Sequence, residues 1–285
     1  QTVGLDVPPS DLSEWADMVE RMKNAKRVVK VAAIGKYTGH DDAYKSINEA
    51  FTHAGIANDC RVEYEWLSAE QFESGVEPDD VLKNYDAFLI APGFGSRGTE
   101  GKIKCVQYAR ETGMPFLGIC LGLQMAVIEY ARNVVKLEGA NSTEIDPQTP
   151  HPVISLLSEQ RGITDMGGTM RLGAYGCHLK RGTRAYAAYN RDCIDGRPRH
   201  RGEFNSVYRA ALEDAGLRLS GTHRLGDQEL VEIVELDNHP WFCGVQFHPE
   251  FKSTPLKPQP LFTELVRHAL QRKESRKATP KEAAI

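Results

Sequence analysis

Two separated segments carry residue types suited to nucleophilic chemistry at a carbonyl. The first is Pro115-Phe-Leu-Gly-Ile-Cys-Leu-Gly-Leu-Gln124. An apolar run leads into Gly118-Ile-Cys120-Leu-Gly122, and a helix-forming stretch follows. This is the cysteine form of a nucleophile elbow, a tight strand-to-helix turn whose glycines let strand and helix approach closely. Such a turn raises the sulfur at the carboxyl end of the strands, where open α/β sheets bind ligands. It also sets Cys120 at a helix N-terminus, whose positive partial charge and free N–H groups suit a nucleophilic sulfur. The Leu121 amide is then placed to donate to an oxyanion.

The second segment is Cys243-Gly-Val-Gln-Phe-His248-Pro-Glu250. Residues i and i+2 of an extended chain face the same way, so His248 and Glu250 can lie side by side. A carboxylate beside an imidazole fixes its tautomer and stabilises its charged form. With the cysteine brought near in space, Cys120, His248 and Glu250 make a catalytic triad.

The elements that must position these residues follow from periodicity. Asp11 to Asn24 reads as an amphipathic helix with Leu12, Trp15, Val19 and Met22 on one side. Val28–Gly35 and Ala87–Ala91 are dense apolar runs ended by Gly or Pro-Gly, as buried parallel strands are. Arg61–Leu67 and Phe116–Ile119 read as further strands. Ala43–Gly55, Glu100–Thr112 and Leu121–Val135 read as helices, the first ended by its glycine and the second closed by Gly113. Strand and helix thus alternate across residues 28–135. That predicts an α/β fold with a doubly wound, mostly parallel, flavodoxin-like sheet flanked by helices. The second half reads as strands at Val153–Leu157, Met170–Leu172, Ala185–Tyr189, Leu217–Ser220, Leu230–Leu236 and Phe242–Phe247, then a helix at Pro260–Gln271. The predicted organisation is a linker with a short helix over 1–27, one domain over 28–272, and a frayed polar tail over 273–285.

Composition is that of an ordinary globular chain: 285 residues, 41% hydrophobic and 26% charged, with a formal net charge of -4. This balance gives no argument for a nucleic acid or membrane partner. No run of about 20 apolar residues occurs. The N-terminus, without an initiator Met, reads as a cut end and not as a signal peptide. The six cysteines are scattered, with no metal-ligand spacing, which suggests a reducing, cytoplasmic setting. Asn141-Ser-Thr143 spells a glycosylation sequon and is expected to be unmodified in that setting.

The elbow and the late His-Pro-Glu resemble those of the class I (triad-type) glutamine amidotransferases. Further segments resemble the glutaminase domain of the CTP synthase family. They are Gly35-Lys-Tyr with Asp42-Ala-Tyr-Lys-Ser46, Pro92-Gly-Phe-Gly-Ser-Arg-Gly98, Ala140-Asn-Ser-Thr-Glu144, Met166-Gly-Gly-Thr-Met-Arg-Leu-Gly173 and Arg199-His-Arg201 with Glu203 and Asn205. The resemblance covers about residues 28–270. It implies hydrolysis of L-glutamine through a cysteinyl thioester. Glu144 and Gln124 would hold the substrate ammonium, and Arg201, favoured over Arg199, would hold its carboxylate. Leu121 and Gly93 or a neighbour such as Phe94 would supply oxyanion amides. It further implies no cofactor and no metal in this domain. A synthase domain of the same polypeptide would use UTP, ATP and Mg²⁺, with GTP as activator, in a homotetramer. No G-x-x-x-x-G-K-[ST] loop occurs. Other readings are a glutaminase serving another synthesis, a γ-glutamyl hydrolase, or a non-catalytic assembly domain of the same fold. Two positions depart from the family pattern. Pro92 stands where a glycine is common and has no N–H to donate. Gly202 stands where an aromatic residue is usual.

Overall fold

The Val- and Ala-rich run that opens the domain forms strand β1 (Arg27–Gly35), preceded by helix α1 (Ser13–Asn24). The structure, a computed structural model, describes residues 10–39, 42–156 and 171–278. After β1 come α2 (Lys45–Ala57), β2 (Cys60–Ser68), the short α3 (Ala69–Glu73) and α4 (Pro78–Leu82), and β3 (Ala87–Ile90). Helix α5 (Thr99–Thr112), β4 (Phe116–Ile119) and α6 (Leu121–Asn133) complete the expected alternation. The next stretch holds short strands β5 (Asn141–Ser142), β6 (Pro152–Leu156) and β7 (Arg171–Leu172). It is followed by β8 (Tyr175–Leu179), α7 (Arg184–Tyr189), β9 (Cys193–Gly196), β10 (Arg199–His200) and β11 (Gly202–Phe204). Helix α8 (Arg209–Asp214), β12 (Leu217–Leu225), β13 (Gln228–Leu236), β14 (Phe242–Val245) and α9 (Pro260–Ala278) close the chain.

The main sheet runs β2-β1-β3-β4-β14-β13-β12-β8-β9. The five strands from β2 to β14 are mutually parallel, and from β14 onward each neighbour is antiparallel. Alternate strand residues feed two cores. Ala32, Ile34, Phe88, Ile90 and Phe116 face one side, with α5 and α6. Val31, Ala33, Leu89, Leu117 and Ile119 face the other, with α2 and α9. Each fully buried side chain of this size contributes about 1.5–3 kcal/mol, so the parallel strands are the rigid base of the molecule. Their register places the site: Ile90 of β3 pairs with Gly118 of β4, which pairs with Gly244 of β14. The loops after these three adjacent strands therefore leave the sheet at one level, and they carry Gly93, Cys120 and His248.

Four sequence expectations are corrected. Ala185–Tyr189 lies in helix α7, not a strand. Thr183 caps it by accepting from the Tyr186 N–H, and the buried Glu235 carboxylate accepts from the Arg184 and Ala185 N–H groups at 2.9 and 2.8 Å. Helix α2 does not stop at Gly55 but continues to Ala57. A Cβ at Gly55 would sit 2.8 Å from the Cys60 carbonyl oxygen, so this glycine permits helix–strand contact. Helix α9 runs past Gln271 to Ala278, so residues 273–278 are not frayed. Lys273 donates to the Val28 carbonyl at 2.6 Å and Arg276 to the Lys83 carbonyl at 3.0 Å. Strand β12 continues from Ser220 to Leu225. Leu157, Met170 and residues 166–169 of the glycine-rich motif lie outside the described residues.

Candidate active site

Cys120 adopts φ +55° and ψ -101° at the head of α6. A non-glycine residue held there costs about 1–3 kcal/mol, and its surroundings impose it. The Cys120 N–H donates to the Val245 carbonyl at 2.7 Å, tying the elbow to β14. A Cβ at Gly118 would lie 2.7 Å from the Gly122 backbone, and one at Gly122 would lie 2.7 Å from the Ile90 carbonyl oxygen. The two glycines are thus demanded by close approach, as the motif implied. The sulfur is buried, 3.6 Å from the Arg199 carbonyl and 3.8 Å from the Gln246 side-chain nitrogen.

His248 ends the β14 segment and heads a short 3-10 turn, Pro249–Lys252. The chain is therefore not extended through Glu250, yet the turn still brings the two side chains together. His248 Nδ1 lies 2.8 Å from Glu250 Oε1, and both groups are buried. Phe251 stacks on the imidazole at 5.2 Å between centroids. Burial disfavours the charged ring. The nearby Cys120 and the hydrogen bond to the Glu250 carboxylate outweigh it and raise the His248 pKa from 6.5 to about 10, although His248 Nε2 has no hydrogen-bond partner among the described residues.

The loop after β3 brings Gly93 beside the elbow: a Cβ at Gly93 would be 3.6 Å from a Leu121 methyl carbon. Neither the Gly93 nor the Leu121 N–H is engaged by another described residue. The loop is held from below. Lys36, buried, donates from Nζ to the carbonyls of Phe94 and Gly95 at 2.6 Å each. Burial, then the charge of Arg97, lowers its pKa to about 8.

Gly93, Phe94, Leu121, Gln124, Glu144 and Arg201 line one narrow cavity beside the sulfur. Glu144 Oε1 and Arg201 Nη1 pair with each other at 3.3 Å, and the guanidinium lies over the Phe94 ring at 5.5 Å. Gln124 is buried and donates to the Gly202 carbonyl at 3.1 Å. A Cβ at Gly202 would meet an Ile154 methyl at 2.8 Å and the Gln124 amide at 3.4 Å, which explains glycine at this position. Phe94 supplies an aromatic neighbour for Arg201 instead. A second, open cavity of about 310 Å³ meets the first at Gly93 and Phe94 and reaches Tyr37, Tyr44, His248 and Phe251.

The structure sets Gly93, Phe94, Cys120, Leu121, Gln124, Glu144 and Arg201 around the narrow cavity and His248 with Glu250 around the open one; sequence reasoning missed several residues that support them. Gln246, beside the sulfur, stood within the Gln-Phe-His-Pro-Glu motif, where its amide was a readable signal. Lys36 stood in the Gly-Lys-Tyr motif. Arg171 of the Arg-Leu-Gly motif is buried and bonds Glu203 and Glu232 at 2.9 Å each, bracing β11 below Arg201. Burial pushes the Glu203 carboxyl up to about 8 against the pull of Arg171.

The fold sets Cys120, His248 and Glu250 at the carboxyl ends of β4 and β14 in a doubly wound α/β sheet, beside the unengaged Gly93 and Leu121 N–H groups. Residues 40–268 match the glutamine amidotransferase class-I family, and the chain belongs to it. It is 50% identical over 274 residues to a CTP synthase of Pelotomaculum thermopropionicum, an alignment covering 96% of this chain and 50% of that protein. A CTP synthase of Geobacillus kaustophilus is 51% identical over 267 residues, covering 94% of this chain and 50% of that protein. The chain spans about half the length of these curated relatives. Among solved structures, the Trypanosoma brucei CTPS glutaminase domain with bound acivicin superposes with a TM-score of 0.79. It is 34% identical, over 85% of this chain and 94% of that one. No described helix is long and apolar enough to cross a membrane.

Proposed function

We propose that this chain hydrolyses L-glutamine to glutamate and ammonia as the glutaminase half of a CTP synthase. The observation that carries the reading is that the cavity holding Cys120, Leu121 and the Glu144–Arg201 pair meets, at Gly93 and Phe94, the cavity lined by His248 and Glu250. An α-amino acid end presents one cation and one anion. It can exchange with that pair, its ammonium going to Glu144 and Gln124 and its carboxylate to Arg201. The side-chain amide then reaches Cys120. The sulfur attacks the amide carbon, and the oxyanion is taken by the Gly93 and Leu121 N–H groups. His248, held by Glu250, gives its proton to the departing nitrogen, and ammonia leaves. Water, deprotonated by His248, attacks the γ-glutamyl thioester, releasing glutamate and restoring the sulfur.

The same proposal assigns the ammonia to a synthase domain of the full-length polypeptide. That domain phosphorylates UTP with ATP and Mg²⁺ and aminates it to CTP, GTP activates the glutaminase half, and the assembly is a homotetramer in the cytoplasm. The domain itself needs no cofactor or metal and takes no nucleic acid or membrane partner. Support comes from the CTP synthases twice this length that share its sequence. Residues 1–27 are assigned to an interdomain linker, consistent with helix α1 burying none of its residues. Residues from 28 onward form the glutaminase unit. Because Glu144 and Arg201 satisfy each other in a narrow cavity, hydrolysis by this chain alone is expected to be slow. The test supplies glutamine and follows ammonia and glutamate, with Cys120→Ala as control. Ammonia release lost in that variant supports the reading, and release that survives it refutes it. With UTP, ATP and Mg²⁺ added, the chain alone is expected to make no CTP.

A further inference from the structure

Lys102 is fully buried in the first turn of α5, and the triad chemistry gives it no task. Among the described residues its side chain makes one hydrogen bond, from Nζ to the Ala91 carbonyl at 3.1 Å. Among the described residues no carboxylate pairs with it, and the titratable groups that act on it are Lys36, Cys120 and Cys105. Burial without an ion-pair partner disfavours a charged amine, and an apolar side chain of similar length would fill this space better. Burial, then the charge of Lys36, lowers the Lys102 pKa to about 7. Stability alone therefore does not account for a lysine here.

Its position does. Ala91 is the last residue held by the sheet, its N–H donating to the Ile34 carbonyl at 2.9 Å. Lys102 fixes the other side of the same residue: the Ala91 carbonyl it holds lies in the peptide plane that enters Pro92. The pyrrolidine ring then fixes φ of Pro92. Between the Lys102 clamp and the Gly93 N–H only one soft dihedral, ψ of Pro92, remains. Lys102 Nζ lies 3.8 Å from where a Gly93 Cβ would stand, directly under the loop. We infer that Lys102 is a positioning residue for the oxyanion loop: by holding the Ala91 carbonyl it aims the Gly93 N–H at the oxygen that becomes negative. Pro92, which removes one donor from the loop, is in this arrangement the stiff link that transmits the clamp.

The inference rests on the glutaminase reading for its substrate, and its test separates the two. Lys102→Met is compared with wild type in three reactions. Glutamine hydrolysis needs both recognition and oxyanion donors. Hydrolysis of p-nitrophenyl acetate, with the Cys120→Ala background subtracted, needs the donors alone. Alkylation of Cys120 by iodoacetamide, a displacement at saturated carbon, needs neither. The expected result is a fall of about 10- to 100-fold in kcat for glutamine and in ester hydrolysis, as for a misaimed oxyanion donor. KM for glutamine stays within about threefold and alkylation within about twofold of wild type. Lys102→Gln, shorter but still a donor, is expected to lose less than Lys102→Met, and carries the test by the same criteria if the methionine variant does not fold. Unchanged ester hydrolysis overturns the inference, and so does alkylation that falls in parallel with it. A wild type that cleaves the ester at Cys120 but releases no ammonia from glutamine overturns the substrate reading and leaves the Lys102 comparison standing.

Discussion

Replacing Glu250 by glutamine keeps the side chain's size and removes its charge from a buried contact with His248 at 2.8 Å. The rise of the His248 pKa from 6.5 to about 10 measures the preference for the protonated ring. At 1.36 kcal/mol per unit it is on the order of 5 kcal/mol, supplied by Cys120 and Glu250 together against the opposing effect of burial. A charge-assisted hydrogen bond of this kind contributes about 1.5–3 kcal/mol, which sets a loss in kcat of roughly 10- to 100-fold. Glutamine can also hold the ring in the other tautomer, and in triads that error takes the loss to about 10⁴-fold. The expected fall therefore lies between about 10- and 10⁴-fold, read by coupled ammonia release at saturating glutamine. Thermal unfolding should show the fold intact, since the change is nearly isosteric. Turnover equal to wild type would remove Glu250 from the catalytic unit and leave a Cys-His dyad.

A glutamine-like chloroketone is expected to label Cys120 alone. Burial pushes the Cys60 thiol up to about 11 and raises Cys105, Cys177 and Cys243 as well; peptide mapping that finds the label mainly on Cys60 or Cys243 refutes the nucleophile. Glu144→Gln is expected to raise KM for glutamine by roughly 10- to 100-fold, the loss of a charged hydrogen bond, with kcat changed less than about threefold; an unchanged KM removes Glu144 from ammonium recognition. The His248 pair should also show in stability. Because the folded pKa is raised, its contribution is complete below pH 6.5 and is lost as pH climbs to about 10. The difference in unfolding free energy between wild type and Glu250→Gln should shrink over that window, and a difference that is flat with pH argues against the charged pair.

The parallel half of the fold was legible because its signals are local. Apolar runs ended by Gly or Pro-Gly fixed β1 and β3, and the paired glycines around Cys120 named the elbow that Ile90 and Gly118 then demand sterically. The His248–Glu250 contact was legible because the two lie two residues apart, a separation at which a turn serves as well as an extended chain. Helix α7 was not legible, because the Glu235 carboxylate that satisfies its first N–H groups comes from β13, far along the chain. The lysines were opaque for a related reason. Nothing in Gly-Lys-Tyr or Glu-Gly-Lys says that Lys36 and Lys102 turn inward. Only the packing of α5 beneath the β3 loop makes their amines the support for its carbonyls.

The central claim is that Cys120 takes up the γ-glutamyl group of glutamine. Mixing the chain with L-glutamine, quenching in acid at short times and mapping peptides by mass tests it directly. The account predicts a γ-glutamyl thioester on the peptide containing Cys120, absent from Cys120→Ala. A glutamyl adduct on the exposed Cys193, or ammonia release with no adduct on Cys120 at any time, would contradict it.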